Sequence, residues 1–226
     1  MLVSDSIQTG YAGMRSNSET EKLIGVVLAG GKSSRLGRDK AEVIYQGQTM
    51  LQRSVQLLQL FTDRVLIAGR TANQLAVPVP TIMDEAPGLG PIGGICTALR
   101  LYGGPLLVIP CDLPYLNQET LENLITARNA CAFEQLMTTY QQIETNFIEA
   151  LVAIYESEAL NLLQKAISIG CYKLSSAIPH QLRCHIPYSV KESSVFFNLN
   201  RPQDLKELEE SMNQYERRKQ AHRSHR

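Results

Sequence analysis

The chain has no tryptophan, only 6% aromatic residues, and 5 cysteines, none of them spaced as C-x-x-C. Those cysteines (Cys96, Cys111, Cys131, Cys171 and Cys184) are odd in number and scattered. That pattern speaks against a disulfide framework and a structural zinc site, and for a reducing compartment. Neither sign of charge is in excess: 22 Lys and Arg stand against 22 Asp and Glu. Nothing therefore draws the whole surface towards nucleic acid or an anionic membrane, and an anionic ligand needs a local site. No apolar run approaches the roughly 18 to 20 residues of a membrane-spanning helix. The opening 22 residues lack the apolar core of a signal peptide, so a cytoplasmic protein is expected. The four histidines show no metal-binding spacing.

What is present is an ordinary apolar complement, 44% of 226 residues, enough for one domain to bury its core without staples. Residues 1–22 are polar without a hydrophobic period and 214–226 form a basic end, so both read as tails around a folded unit at 23–213. Within it, apolar runs bounded by Gly and Pro alternate with amphipathic stretches. The runs 23–30, 64–69, 79–83, 105–110 and 150–155 are too uniformly apolar to have a face in water, which predicts a buried, mostly parallel sheet. Thr49 with Gln52 forms a capping-box pattern before a helix over 50–60, Asn117 caps another, and Pro202 suits a first helical position. The expected fold is a single doubly wound α/β domain, whose ligands bind beyond the carboxyl ends of the strands.

Three segments stand at such ends. After the first strand comes Leu28-Ala29-Gly30-Gly31-Lys32-Ser33-Ser34-Arg35-Leu36-Gly37-Arg38-Asp39-Lys40. Its paired glycines let backbone N–H groups approach an anion, and Lys32, Arg35, Arg38 and Lys40 supply positive charge, which suits a nucleoside triphosphate. A P-loop would need a glycine where Val26 stands, and the G-x-G of a dinucleotide fingerprint is missing. On its own Lys40 would read as a surface lysine beside Asp39. The second segment, 84–95, runs from Asp84 through four glycines into a helix opening near Pro91. That helix would aim its positive end at the same crevice. Asp84 alone is equally a loop aspartate capping its own turn. The third, Cys111-Asp112-Leu113-Pro114, sets a carboxylate just past a buried strand, where magnesium bound to a triphosphate would need only one or two protein carboxylates. Cys111 reads as an apolar filler, since nothing near it in sequence marks a lowered-pKa thiol.

The loop at 28–41 resembles the nucleotidyltransferase signature L-A-G-G-x-S-x-R-x-G-x-D-K, and most closely that of the molybdenum cofactor guanylyltransferases. The segments from Asp84 and around Asp112 resemble the same family's D-x-x-x-G-x-G-P-L-x-G and P-C-D-x-P. Residues 195–205 resemble its F-x-N-x-N-T-P-E-D-L ending. The resemblance implies a Rossmann-like nucleotidyltransferase fold and nucleotide binding by Leu28, Ala29, Gly30, Gly31, Lys40, Asp84 and Asp112. Asp112 would hold Mg2+, and Arg35, Lys40 and Asp112 would carry catalysis. Asn198 and Asn200, turned to one face if they lie on a strand, would contact the pterin or help position magnesium.

The implied reaction transfers GMP from GTP to the terminal phosphate of molybdopterin and releases pyrophosphate. It would run by in-line attack, without a covalent nucleophile or general base. The residues alone leave open another nucleotide such as CTP, another phosphate acceptor, or a nucleotide-binding regulator without turnover. GTP and molybdopterin are the implied small-molecule partners, with room for cofactor-insertion or chaperone proteins. Three places depart from the family pattern. Arg201 replaces a helix-capping Thr, Glu149-Ala150 stands where a Pro-containing pair is usual, and Ala68-Gly69-Arg70 stands where some members have a nucleotide-contacting Asn.

Overall fold

The computed structural model describes residues 22–30, 39–71, 77–83 and 88–210. In chain order the strands are β1 (Ile24–Leu28), β2 (Ile44–Tyr45), β3 (Gln48–Thr49), β4 (Val65–Ala68), β5 (Thr81–Ile82), β6 (Leu106–Pro110), β7 (Met137–Gln142), β8 (Ile148–Tyr155) and β9 (Arg183–Tyr188). The helices are α1 (Met50–Gln59), α2 (Pro91–Tyr102), α3 (Gln118–Ala130), α4 (Ala159–Ser168) and α5 (Leu174–Ala177). A last helix covers 202–210.

Seven strands form one sheet in the order β5-β4-β1-β6-β8-β7-β9. The apolar runs fall at its centre, as expected: β1 lies between β4 and β6, parallel to both, and all five residues of β6 are buried. One core packs between one face of the sheet and α2 and α4, the other between the opposite face and α1 and α3. Both faces are thus covered, which is why these strands carry no polar alternation. The helix starts follow their sequence signals. Thr49 and Gln52 make a reciprocal capping box, Asn117 accepts from the Thr120 N–H, and Pro91 is the first residue of α2.

The second half of the sheet departs from expectation. The run at 150–155 belongs to β8, which is antiparallel to both β6 and β7, because β7 and β8 form a hairpin turning through Asn146 at φ 57°. β7 and β9, parallel to each other, have no apolar run to announce them. β7 buries Thr138 and Thr139, and the Thr139 hydroxyl, donating to the Glu149 carbonyl at 2.9 Å, is satisfied within the sheet. The outcome is still a mostly parallel, doubly covered sheet in a single domain.

The cysteines also depart from expectation. Cys131, at the end of α3, is joined to Cys184, near the start of β9, with Cα atoms 6.3 Å apart. The two are 53 residues apart in sequence, and only the packing of α3 over the edge of the sheet brings them together. Cys96 and Cys111 are buried free thiols.

Candidate functional site

The site begins where β1 and β4 stop. The Ala29 N–H donates to the Ala68 carbonyl at 3.0 Å, and the chains leaving these strands then almost touch. A Cβ on Gly69, whose φ is +86°, would lie 2.6 Å from the Gly30 Cα. Only glycine fits both the approach and the left-handed backbone. The next residue, Arg70, turns back over this junction: its Nε donates to the Ala29 carbonyl at 2.7 Å, and its two terminal nitrogens grip both oxygens of Asp39. Asp39 Oδ1 also accepts from the Ala41 N–H at 3.0 Å and caps a one-turn 3₁₀ helix, Lys40–Glu42. The Arg70 guanidinium holds the Asp39 carboxyl below its usual range, against the opposing effect of partial burial. Arg70 thus ties both ends of the glycine-rich loop, at Ala29 and at Asp39.

This clamp presents Lys40. Its ammonium donates to Asp112 Oδ2 at 2.9 Å and to Asn200 Oδ1. Asp112 lies just beyond β6, where the Cys111 N–H donates to the Leu28 carbonyl at 3.1 Å and extends the β1 pairing by one residue. Its own carbonyl accepts from the Leu199 N–H at 2.9 Å, which fastens the C-terminal segment to the site. The other carboxylate oxygen, Oδ1, is buried with no hydrogen-bond partner among the described residues. An orphan carboxylate oxygen is costly unless a ligand completes it, and a hard divalent cation is a fitting one. Among the described residues no group of three or more His, Cys, Asp or Glu could hold a metal, so ligand oxygens would have to supply the rest of any coordination sphere. Burial pushes the Cys111 thiol up to about 12, with the Asp112 charge adding to the effect, which agrees with its expected role as a filler.

Leu28, Ala29, Gly30, Lys40, Arg70 and Asp112 line a cleft of about 130 Å3, with Pro91 at the head of α2 on its wall. A second cavity of about 270 Å3 adjoins it, sharing Pro91, Pro110 and Leu151. Its lining includes Phe147, Glu149, Tyr172, Lys173 and Asn198.

Of the residues singled out in the sequence, Leu28, Ala29, Gly30, Lys40 and Asp112 therefore meet in one cleft. Gly31, Arg35 and Asp84 lie outside the described residues. Asn198 and Asn200 are not on a strand and do not share a face. Asn200 joins Lys40, whereas the Asn198 side-chain amide donates to the Phe196 carbonyl at 3.1 Å and lines the second cavity. The cap that Arg201 cannot provide comes from Asp204, whose Oδ2 accepts from the Asn200 and Arg201 N–H groups, both at 2.7 Å. Arg70 was visible in the sequence only as a departure. Its partner Asp39 is 31 residues away, and no local spacing could pair them.

A glycine-lined cleft at the carboxyl ends of central parallel strands, with a lysine and a carboxylate facing each other across it, defines a nucleotide-binding α/β protein. Residues 25–182 match the MobA-like NTP transferase domain, and the chain belongs to that family, a nucleotidyltransferase. The "Molybdenum cofactor biosynthesis bifunctional protein" of Synechocystis is 35% identical over 87% of this chain, which spans only 56% of that longer protein. A "Probable molybdenum cofactor guanylyltransferase" of Pyrococcus horikoshii is 33% identical, with 81% of this chain and 97% of that one covered. The crystal structure of molybdopterin-guanine dinucleotide biosynthesis protein A from Archaeoglobus fulgidus superposes with a TM-score of 0.67 at 27% identity, covering 85% of this chain and all of that one. Rv0371c of Mycobacterium tuberculosis, solved as a complex with manganese, shares the fold at 13% identity and a TM-score of 0.58, covering 84% of this chain.

Proposed function

We propose that the chain is a guanylyltransferase of molybdenum cofactor biosynthesis, transferring GMP from GTP to the terminal phosphate of molybdopterin. The observation that carries the reading is the Lys40, Asp112 and Asn200 cluster, set where β1 and β6 end and beside a second cavity large enough to take an acceptor. The names of the Pyrococcus and Archaeoglobus relatives supply the guanine nucleotide and the pterin.

In this reading the backbone at Leu28 to Gly30 receives the nucleotide, with Gly31, Arg35 and Asp84 completing its site. Lys40 places a compact positive charge on the triphosphate. Asp112 would hold Mg2+ through its orphan oxygen. When bound, the ion supplies charge neutralisation at the phosphates. An acceptor phosphate oxygen attacks the α-phosphorus of GTP, a phosphoanhydride bond forms, and the bond to the β-phosphate oxygen breaks as pyrophosphate leaves. The attacking phosphate is already ionised, so no side chain needs to remove a proton. Catalysis then rests on positioning and charge, and the Arg70 clamp holds Ala29 and Asp39 on either side of the site.

We read 23–213 as the folded unit, while the two expected tails, Lys22 apart, and 211–213 lie outside the described residues, and the enzyme works in the cytoplasm, handing its product to proteins that insert the cofactor. Among the described residues no helix is long and apolar enough to cross a membrane. In a reducing cytoplasm Cys131 and Cys184 would be thiols. The decisive experiment measures pyrophosphate release with GTP, CTP, ATP and UTP, each with and without molybdopterin. Release confined to GTP with molybdopterin is expected. Preference for CTP would overturn the guanine assignment, and no release with any nucleotide would overturn turnover itself.

A further inference from the structure

Because β8 alone runs against the sheet, its first residues stand at the edge where β7 and β9 end. Glu149, second in β8, therefore faces Tyr188, last in β9, and the Tyr188 hydroxyl donates to Glu149 Oε1 at 2.6 Å. Tyr188 is held in turn by its packing on Tyr140 and Phe196. Glu149 lines the second cavity among apolar neighbours, including Ile148, Ala150 and Leu151. Burial raises its carboxyl above the usual range, and the Tyr188 hydrogen bond only partly opposes this. A carboxylate has about four acceptor sites, and a single phenol takes only one of them, leaving the others turned to the half-buried cavity and open to a ligand's donors. Phe147 and Tyr172 border the same cavity yet are 58% and 48% exposed. Two large rings left in water at a cavity mouth are suited to covering the faces of a planar heterocycle.

We propose that Glu149, oriented by Tyr188, is the specificity-determining contact for the acceptor's ring, taking the adjacent N–H donors of a 2-amino-4-oxopyrimidine edge while Phe147 and Tyr172 cover its faces. This deepens the acceptor reading above and rests on it for the direction of the ligand. The ring lies at the Glu149 end, and the phosphate lies at the wall of Pro91, Pro110 and Leu151 that the two cavities share. The recognised feature is the 2-amino group with its neighbouring ring N–H. A 2-oxo ring of the same shape would set a carbonyl oxygen against the carboxylate.

The test titrates the full chain with two fluorescent probes, 6-hydroxymethylpterin and 6-hydroxymethyllumazine, which differ at that one position. Wild type should bind the pterin at least about tenfold more tightly, the scale of a charge-assisted hydrogen bond. Glu149→Gln, whose amide can face a carbonyl, should erase the preference, and Tyr188→Phe should reduce it, with thermal unfolding confirming that both variants fold. Equal binding of the two probes by wild type would overturn the inference, as would a preference kept by Glu149→Gln. If the Glu149–Tyr188 bond is only structural, both variants will melt lower with the ratio unchanged. Acceptor-dependent pyrophosphate release is scored separately: its absence alongside a pterin preference defeats the transferase reading and leaves the ring contact standing, and the converse pattern does the opposite.

Discussion

Replacing Arg70 with alanine removes a guanidinium that bonds the Ala29 carbonyl and both oxygens of Asp39. The side chains of the pair are 12% and 29% exposed. That places it between a surface ion pair, worth well under about 1 kcal/mol, and a fully buried one, whose breakage costs roughly 3 to 5 kcal/mol. A loss of about 2 to 3 kcal/mol is expected, or about 4 to 12 °C in melting temperature for a chain of this size. Untying Ala29 and Asp39 also frees the two chain ends that flank the proposed triphosphate site, so GTP affinity should fall by about tenfold. The pH dependence follows from the Asp39 carboxyl lying below its usual range in the fold, chiefly through Arg70. Its contribution is complete above its unfolded value, near pH 4, and disappears as pH falls through the lower folded value. Wild type and Arg70→Ala should therefore differ at neutral pH and converge in acid. Urea unfolding of Arg70→Ala, Asp39→Asn and the double variant, with GTP titrations of each, measures both effects. A loss below about 1 kcal/mol, or a strictly additive cycle, would refute the clamp.

Asp112→Asn keeps shape and one oxygen but removes the charge facing Lys40, so pyrophosphate release should nearly vanish while part of the GTP binding survives. Wild-type rates at low magnesium would reject the metal role. Lys40→Ala should weaken GTP binding and turnover together and also lower the urea midpoint, since it leaves the Asp112 carboxylate without its ion-pair partner at a place about as shielded as the Arg70–Asp39 pair. Unchanged kinetics would place Lys40 outside the reaction. In protein isolated under oxidising conditions, where Cys131 and Cys184 are joined, Cys131→Ser or added reductant opens a loop of 53 residues, and chain-entropy reasoning puts the loss at up to about 4 kcal/mol. Because Cys184 sits at the amino end of β9, opposite the cleft, KM for GTP should not move, and a change in KM would show coupling across the sheet.

The nucleotide half was legible because its signals are local. The apolar runs mark β1, β4 and β6, the glycines of the loop after Leu28 mark a close backbone approach, and a carboxylate following Pro110 is visible without knowing any partner. The acceptor half was not, for a physical reason in each case. β7 (MTTYQQ) satisfies the Thr139 hydroxyl against β8 and the Tyr140 hydroxyl against the Thr120 carbonyl of α3, so its burial leaves no hydrophobic trace. The reversal of β8 depends on a hairpin turn whose one marker is Asn146. Asn198 and Asn200 read as strand neighbours by alternation, but the Leu199 bond to Asp112 and the Asp204 cap hold that stretch irregular. Arg70 with Asp39 and Tyr188 with Glu149 are pairs made by topology, 31 and 39 residues apart, and single-sequence periodicity does not reach that far.

The reversed strand also divides the chain as a unit of inheritance. Everything that holds Lys40 against Asp112, apart from the segment around Leu199 and Asn200, is encoded before residue 114. The rim of the second cavity is encoded mainly between 147 and 175. The tip of the β7–β8 hairpin projects from that rim with exposed residues such as Ile143 and Phe147, and substitutions or insertions there leave the parallel pairing of β1, β4 and β6 untouched. If the second cavity takes the acceptor as proposed, acceptor preference can therefore drift, or be exchanged by grafting the hairpin from a relative, while the cleft at Lys40 and Asp112 is inherited unchanged.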